Sequence, residues 1–197
     1  MKTLYLECNM GAAGDMLMAA LYELMSESEK QDFLETMNRL FPGVEIQPRQ
    51  AVTCGITGTH MDVTVRGEEE HSHDVALGCG HDHDHIHEHH HEHDHSHAHD
   101  HHHDHDHDHG HTHHHTAPAD IAALLDALDA PAEVKDAAKS IYARIADAEA
   151  KAHGMPVEKI HFHEVGALDA VADVTGACLA VHMLRPDHIT ASPVHLG

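Results

Sequence analysis

Apolar positions along this chain recur with two different spacings, and the changes from one to the other delimit its elements. Leu4 and Leu6 alternate with their neighbours, which predicts a short first strand over Thr3–Cys8. Asn9–Gly14 is a glycine-bearing turn. Asp15–Met25 then reads as a helix with Met16, Leu17, Ala20, Leu21 and Leu24 turned inward. Ser26 or Ser28 can cap a second helix running through Phe41, because Phe33, Leu34, Met37 and Leu40 recur at helical spacing; Pro42-Gly43 ends it. Val44–Thr53 and Thr59–Arg66 look like two strands, the second alternating Met61, Val63 and Val65 against polar residues, with Gly55 and Gly58 in the connecting turn.

This patterning stops at Glu68-Glu69-Glu70 and resumes at Pro118. Ile121, Leu124, Leu125 and Leu128 form one apolar stripe. Asp129-Ala130-Pro131 starts a longer helix in which Val134, Ala137, Ala138, Ile141, Ile145 and Ala148 keep helical register. Gly154 suits a left-handed stop, with Pro156 just beyond. Ile160–Val165 is predicted extended, Leu168–Leu184 helical and His188–His195 a closing strand. The order of elements predicts a mixed α/β (α+β) fold, one domain made of 1–70 and 116–197 and interrupted by a long insertion over 71–115.

That insertion dominates the composition. Of 30 histidines in 197 residues, 23 lie between His71 and His115, a stretch without Lys, Arg, Phe, Tyr or Trp. Val75, Leu77 and Ile86 are its only sizeable apolar side chains. They bury too little surface to offset the entropy of ordering, so the segment is predicted to be disordered when nothing is bound. The two flanking blocks together suffice for one modest domain, whereas each alone would be marginal. The formal charge is −23. Free histidine titrates near 6.5, so about a quarter is protonated at neutral pH, and the chain stays clearly acidic. Nucleic acid and anionic membranes are excluded as default partners, and cations are favoured. No run of about 18 apolar residues and no basic, apolar leader occur, so the chain is expected to be soluble and cytoplasmic. Cys8, Cys54, Cys79 and Cys178 lie far apart with no C-x-x-C, which indicates neither a disulfide scaffold nor a zinc knuckle.

Imidazole is the commonest ligand for borderline divalent ions, and Asp or Glu adds hard oxygens that offset the ion's charge. His81, His83, His85, His87, His89, His91, His93, His95, His97, His99, His101, His103, His105, His107 and His109 occupy every second position of the tract, with carboxylates interleaved. A flexible chain of this kind wraps an ion with several donors and exchanges it easily, which suits storage or delivery better than a rigid catalytic site. Only neutral imidazole binds, so loading should weaken as pH falls through about 6.5. Composition does not separate Ni, Zn, Co and Cu. A solvated low-complexity linker with incidental metal affinity is the plainer alternative.

A second constellation is His161-Phe162-His163-Glu164-Val165-Gly166-Ala167-Leu168-Asp169-Ala170-Val171-Ala172-Asp173. On an extended segment His161 and His163 project from one face; on a helix Asp169 and Asp173 share another. Asp169 falls in the first helical turn, where the positive end of the dipole keeps it ionised. Gly176 and Ala180 continue that face and leave room for a close approach. Two imidazoles and up to three carboxylates thus can converge at a strand-to-helix junction, with His161, His163 and Asp173 as metal ligands. The alternative is that Glu164 and Asp169 merely cap a helix and the histidines are ordinary polar residues. A third feature is Gly11-Ala12-Ala13-Gly14-Asp15 between strand and helix, where free N–H groups suit a phosphate or carboxylate. It is no P-loop, because G-x-x-x-x-G-K-[ST] is absent, and a structural turn is its plainer reading.

Glu7-Cys8, Gly11-Ala12-Ala13-Gly14-Asp15-Met16, the His161–Asp169 motif and Ala191-Ser192-Pro193-Val194-His195-Leu196-Gly197 together resemble the nickel insertion protein family, LarC. The resemblance spans both blocks and departs from the family where Glu7-Cys8-Asn9-Met10 replaces an Asp-Cys-Phe-Ser-like start. It implies a CTP-dependent nickel chelatase, a cyclometallase of the lyase class. Ni2+ is inserted into pyridinium-3,5-bisthiocarboxylic acid mononucleotide, forming two Ni–S bonds and one Ni–C bond of the nickel-pincer cofactor of lactate racemase. CTP with Mn2+ or Mg2+ is the implied co-reactant, held by a C-terminal nucleotide-binding region that these residues lack. The implied partners are the mononucleotide substrate, the C-terminal part of the same protein and further copies of the chain in a homo-oligomer.

Under this resemblance His161, His163, Glu164 and Asp169 are the candidates for removing a ring proton at the metal. Gly11, Gly14 and Asp15 are the candidates for holding the substrate's phosphate or its counter-ion. The alternatives are a non-catalytic nickel storage or delivery protein and a zinc-handling regulator or transporter loop, the latter disfavoured by the missing membrane span.

Overall fold

The computed structural model describes residues 1–9, 11, 13–67, 116–162 and 164–195, and of Glu164 its backbone. The predicted insertion, its histidine ligands His81 to His109, and His163 lie outside the described residues. Everything below belongs to the unit formed by Met1–His71 and His113–Gly197. Its elements are β1 (Thr3–Leu6), α1 (Gly14–Glu23), α2 (Glu27–Leu40), β2 (Val44–Thr53), β3 (Ile56–Val65), α3 (Pro118–Ala127), α4 (Ala132–His153), α5 (Leu168–Leu184) and β4 (His188–Ala191). This is a mixed α/β arrangement of five helices and two small two-stranded sheets. No described helix is long and apolar enough to cross a membrane.

The helix α5 is central because it is apolar nearly all round. Val171, Ala172, Thr175, Gly176, Cys178, Leu179, Ala180 and Leu184 are buried, and α1, α2, α4 and β3 pack on it. Gly176 sets the closest of these contacts. A Cβ there would run into the Met18 sulfur of α1 and lie 3.1 Å from the Met37 methyl of α2. The room expected beside Gly176 is therefore filled by the protein's own methionines.

Two helices bury a face rotated from the expected one, keeping Leu21 of α1 and Val134 and Ala138 of α4 inward as expected. In α1 and just beyond it, Met18, Leu21, Tyr22 and Met25 are buried, while Met16 and Leu24 are exposed. Both stripes are apolar, and the seat of Met18 on Gly176 selects between them. In α4 the buried ladder is Val134, Ala138, Tyr142, Ala146 and Ala150, and Ile141 points out. Small residues every fourth position let α4 lie close to its neighbours. Tyr142 fits among them because its hydroxyl donates to the Val165 carbonyl at 3.0 Å and its ring packs 5.7 Å from that of Phe162.

The second helix starts as the sequence indicates: Ser26 accepts from the Glu29 N–H while the Glu29 carboxylate takes the Ser26 N–H at 2.8 Å. The β2–β3 hairpin is tighter than expected. Thr53 pairs with Ile56, leaving Cys54 and Gly55 as a two-residue turn with φ of 52° and 78°, the mirror-image geometry that suits strand twist. Gly58 therefore lies within β3, opposite Ala51. Asn38 of α2 covers the outer edge of β2, donating to the Ile46 carbonyl at 3.1 Å and accepting from its N–H at 2.8 Å.

Of the stretch predicted extended over Ile160–Val165, the described residues are extended at Ile160–Phe162, whereas Glu164 and Val165 fall in a 3-10 turn. The extended residues are flanked by 3-10 turns at Val157–Lys159 and Glu164–Gly166. Phe162 exchanges backbone bonds with Thr116, the first described residue after the histidine tract, at 2.8 and 3.4 Å. The Gly166 turn folds onto this bridge, where a Cβ would stand 2.8 Å from that of Phe162. The closing strand is shorter than expected, and β4 runs parallel to β1 with Leu4 opposite Ile189.

Candidate functional site

The glycine turn leads from β1 into α1. Gly11 takes φ of 90° and donates to the Cys8 carbonyl at 3.2 Å, a conformation open to glycine at little cost. Gly14, the first residue of α1, lies against α5: a Cβ on it would be 2.7 Å from the Asp173 Cβ. Asp173 Oδ2 stands 3.2 Å from the same Cβ position, so its carboxyl faces the start of α1. The start of α1, where free amides were expected to receive a phosphate, thus already holds a carboxylate from a neighbouring helix.

Asp173 and Asp169 sit one turn apart on α5, as their spacing implies, with Asp169 in the first turn accepting the Ala170 N–H at 2.7 Å. Burial pushes the Asp173 carboxyl up to about 7, and the charges of Asp15 and Asp169 add to the rise, while the Asp15 N–H works against it. One Asp173 oxygen, Oδ1, is buried without a hydrogen-bond partner. Burial, helped by Asp169 and Asp173, also raises the Tyr142 hydroxyl. Asp15, the candidate of the glycine turn, thus lies near enough to Asp173 for its charge to act there, as does Asp169, and Tyr142 feels both acids of α5.

The cluster extends to the hairpin through His60, which the sequence reading missed. His60 Nδ1 lies 3.9 Å from Asp15 Oδ2 and its Nε2 lies 3.3 Å from Asp62 Oδ1. Arg49 grips Asp62 through two bonds of 2.7 and 3.0 Å, and that hydrogen bonding holds the Asp62 carboxyl below its ordinary range. The available signal was strand alternation: His60 and Asp62 share the face opposite Met61. Beyond Arg49, a hollow of about 340 Å³ is lined by Glu23, Pro48, Arg49, Gln50, Thr57, Gly58 and Thr59. It opens beside the hairpin rather than at the three acids.

Of the remaining candidates, His161 is exposed on the extended stretch ahead of Phe162, and Glu164 begins the 3-10 turn that Tyr142 fastens. His163 lies outside the described residues. Among the described residues no three His, Cys, Asp or Glu side chains stand close enough to hold a metal ion. Cys8, Cys54 and Cys178 are free thiols, and burial pushes Cys178 up to about 11, away from reactivity.

A family model described as "Nickel insertion protein" matches residues 4–197. The chain is 38% identical over its full length to a pyridinium-3,5-bisthiocarboxylic acid mononucleotide nickel insertion protein of Lactiplantibacillus plantarum, covering 41% of that protein. It is 39% identical to a protein of the same name from Clostridium acetobutylicum, covering 44% of it, and 30% identical to a putative nickel insertion protein of Geotalea daltonii, covering 40%. The chain thus spans about two fifths of the length of these relatives. No solved structure matches it.

Proposed function

The chain belongs to the nickel insertion protein family, and from that premise we propose that it takes up Ni(II) and inserts it into pyridinium-3,5-bisthiocarboxylic acid mononucleotide. It does so as one part of a cytoplasmic nickel chelatase that makes the cofactor of lactate racemase. The observation that carries this reading is the match over residues 4–197, with relatives named for that substrate. The meeting of Asp15, Asp169 and Asp173 supports it.

The chemistry asks little rigid coordination of the protein. Two thiocarboxylate sulfurs and one ring carbon of the substrate become the nickel ligands, so the protein supplies a transient hold and a group that accepts the ring proton. The carboxylates of Asp15, Asp169 and Asp173 draw the ion to the α1–α5 junction, with His161, His163 and Asp173 as its passing ligands. His161, His163, Glu164 and Asp169 are the groups proposed to take the proton. The histidine tract over 71–115 serves as the metal reservoir.

The described residues do not fit CTP with its Mn2+ or Mg2+. At the glycine turn the Asp173 carboxyl already packs against Gly14, with Oδ2 3.2 Å from the position of a Cβ there, in the space a phosphate on the turn would need. Nucleotide binding is assigned to the remainder of the family's length. A second reading, nickel storage and delivery without catalysis, is favoured by one observation, the absence of a ready metal cage among the described residues.

The test combines this chain with Ni(II), CTP, Mg2+ and the dithiocarboxylate mononucleotide, with and without the remaining polypeptide of a relative, and reads activation of lactate racemase. Activation is expected only with the remainder present. Nickel uptake without activation in both arms would return the storage reading.

A further inference from the structure

We propose that the free edge of β4 is where the remaining polypeptide of this family adds a strand. The proposal rests on the reading that the remainder completes this unit, and on nothing about the insertion chemistry. The sheet itself is the first observation. β1 and β4 form a parallel pair with no third strand among the described residues. Parallel sheets are ordinarily wider and covered on both faces, yet all four residues of β4 are exposed.

The hydrogen bonds show which groups are unused. The N–H groups of His188 and Ser192 donate to the carbonyls of Lys2 and Leu6 at 3.2 and 2.9 Å. Backbone groups alternate sides along a strand, so Ile189 and Ala191 turn theirs to the opposite edge. Among the described residues nothing blunts that edge. The segment His188-Ile189-Thr190-Ala191 carries no lysine, proline or carboxylate, the devices by which proteins discourage added strands.

An apolar patch continues from it. Ile189, 50% exposed, lies beside Leu4, and Leu24 at the end of α1 is 61% exposed. A groove of about 230 Å³ lies on the β1 side of the pair, lined by Lys2, Thr3, Leu4, Leu24, Leu184 and Pro186. A strand laid along β4 gains main-chain bonds from Ile189 and Ala191 and can cover the half-exposed Ile189 side chain. The occupant follows from chain length. The relatives carry about three fifths of their sequence outside the part matched here, in the same polypeptide as the matched part.

Amide hydrogen exchange tests this. The 197-residue chain is compared with a chimera in which it replaces the matched residues of the Lactiplantibacillus plantarum relative. In the chimera the Ile189 and Ala191 amides are expected to exchange at least tenfold more slowly, and the Ser192 amide, already bonded to Leu6, to be unchanged. Ile189→Pro removes one free-edge donor without touching a bond to β1, and is expected to abolish the gain at Ala191. Should the chimera not fold, the same comparison on the L. plantarum relative, whole and cut to its matched residues, gives the equivalent reading. Equal exchange in the long and short chains overturns the proposal. So does protection that appears in the 197-residue chain alone and grows with its concentration, which would give the edge to a second copy. None of these readouts depends on nickel insertion, so failure of the proposed activity leaves them intact.

Discussion

Gly14 and Asp173 meet across the α1–α5 contact with so little space that a methyl carbon on Gly14 would lie 2.7 Å from the Asp173 Cβ. The glycine is there to let the start of one helix reach a carboxylate on another. Gly14→Ala is expected to cost about 1–3 kcal/mol through overpacking, read as a lower urea midpoint at unchanged slope. Gly58→Ala, where an added Cβ meets nothing within 4 Å, is the control and should stay within about 0.5 kcal/mol of the parent.

Asp173 should leave a mark on the pH dependence of stability. Its carboxyl sits at about 7 in the folded chain against an ordinary 3.8. The native state therefore holds a proton that the unfolded state has released, and stability falls as pH rises from about 4 to about 7. Asp173→Asn removes that slope. The variant is expected to be the more stable protein above neutrality, by about 1–2 kcal/mol once the carboxyl's remaining contact with water is allowed for, and to hold no such advantage near pH 4. Thermal unfolding across this range measures it, and an advantage independent of pH would contradict the burial.

Tyr142→Phe keeps the ring against Phe162 and removes the donor to the Val165 carbonyl. A loss of about 1 kcal/mol is expected in chemical denaturation. Because Val165 belongs to the turn that Glu164 begins, insertion should slow even at temperatures where the variant is fully folded. Unchanged insertion kinetics would detach this turn from the reaction.

Deleting residues 71–115 separates reservoir from chemistry. Calorimetry is expected to show most of the nickel capacity gone, while racemase activation at saturating nickel survives with the completing polypeptide present. Activation lost even at saturating metal would place the chemistry in the tract itself.

What the sequence revealed depended on whether the signal was local. The limits of α5 and the Ser26–Glu29 cap were legible because propensity and capping act over a few residues. The inward faces of α1 and α4 were not. Both helices carry apolar residues on more than one side, and the choice is made by partners distant in sequence, Gly176 for Met18 and Phe162 for Tyr142. The same division holds at the site. Asp169 and Asp173 were readable as one helical face and Asp15 as a helix start, yet nothing in their spacing says that Asp173 fills the end of α1. His60 was hidden by the ordinary polar alternation of a strand.

The bridge between Thr116 and Phe162 fixes where the described chain resumes after residue 115. Thr116 is fastened to Phe162, the residue that follows His161 in the sequence. The residue at which the described chain resumes is therefore tied by two backbone bonds to the His161–Asp169 motif, so strain applied at the one is carried directly to the other.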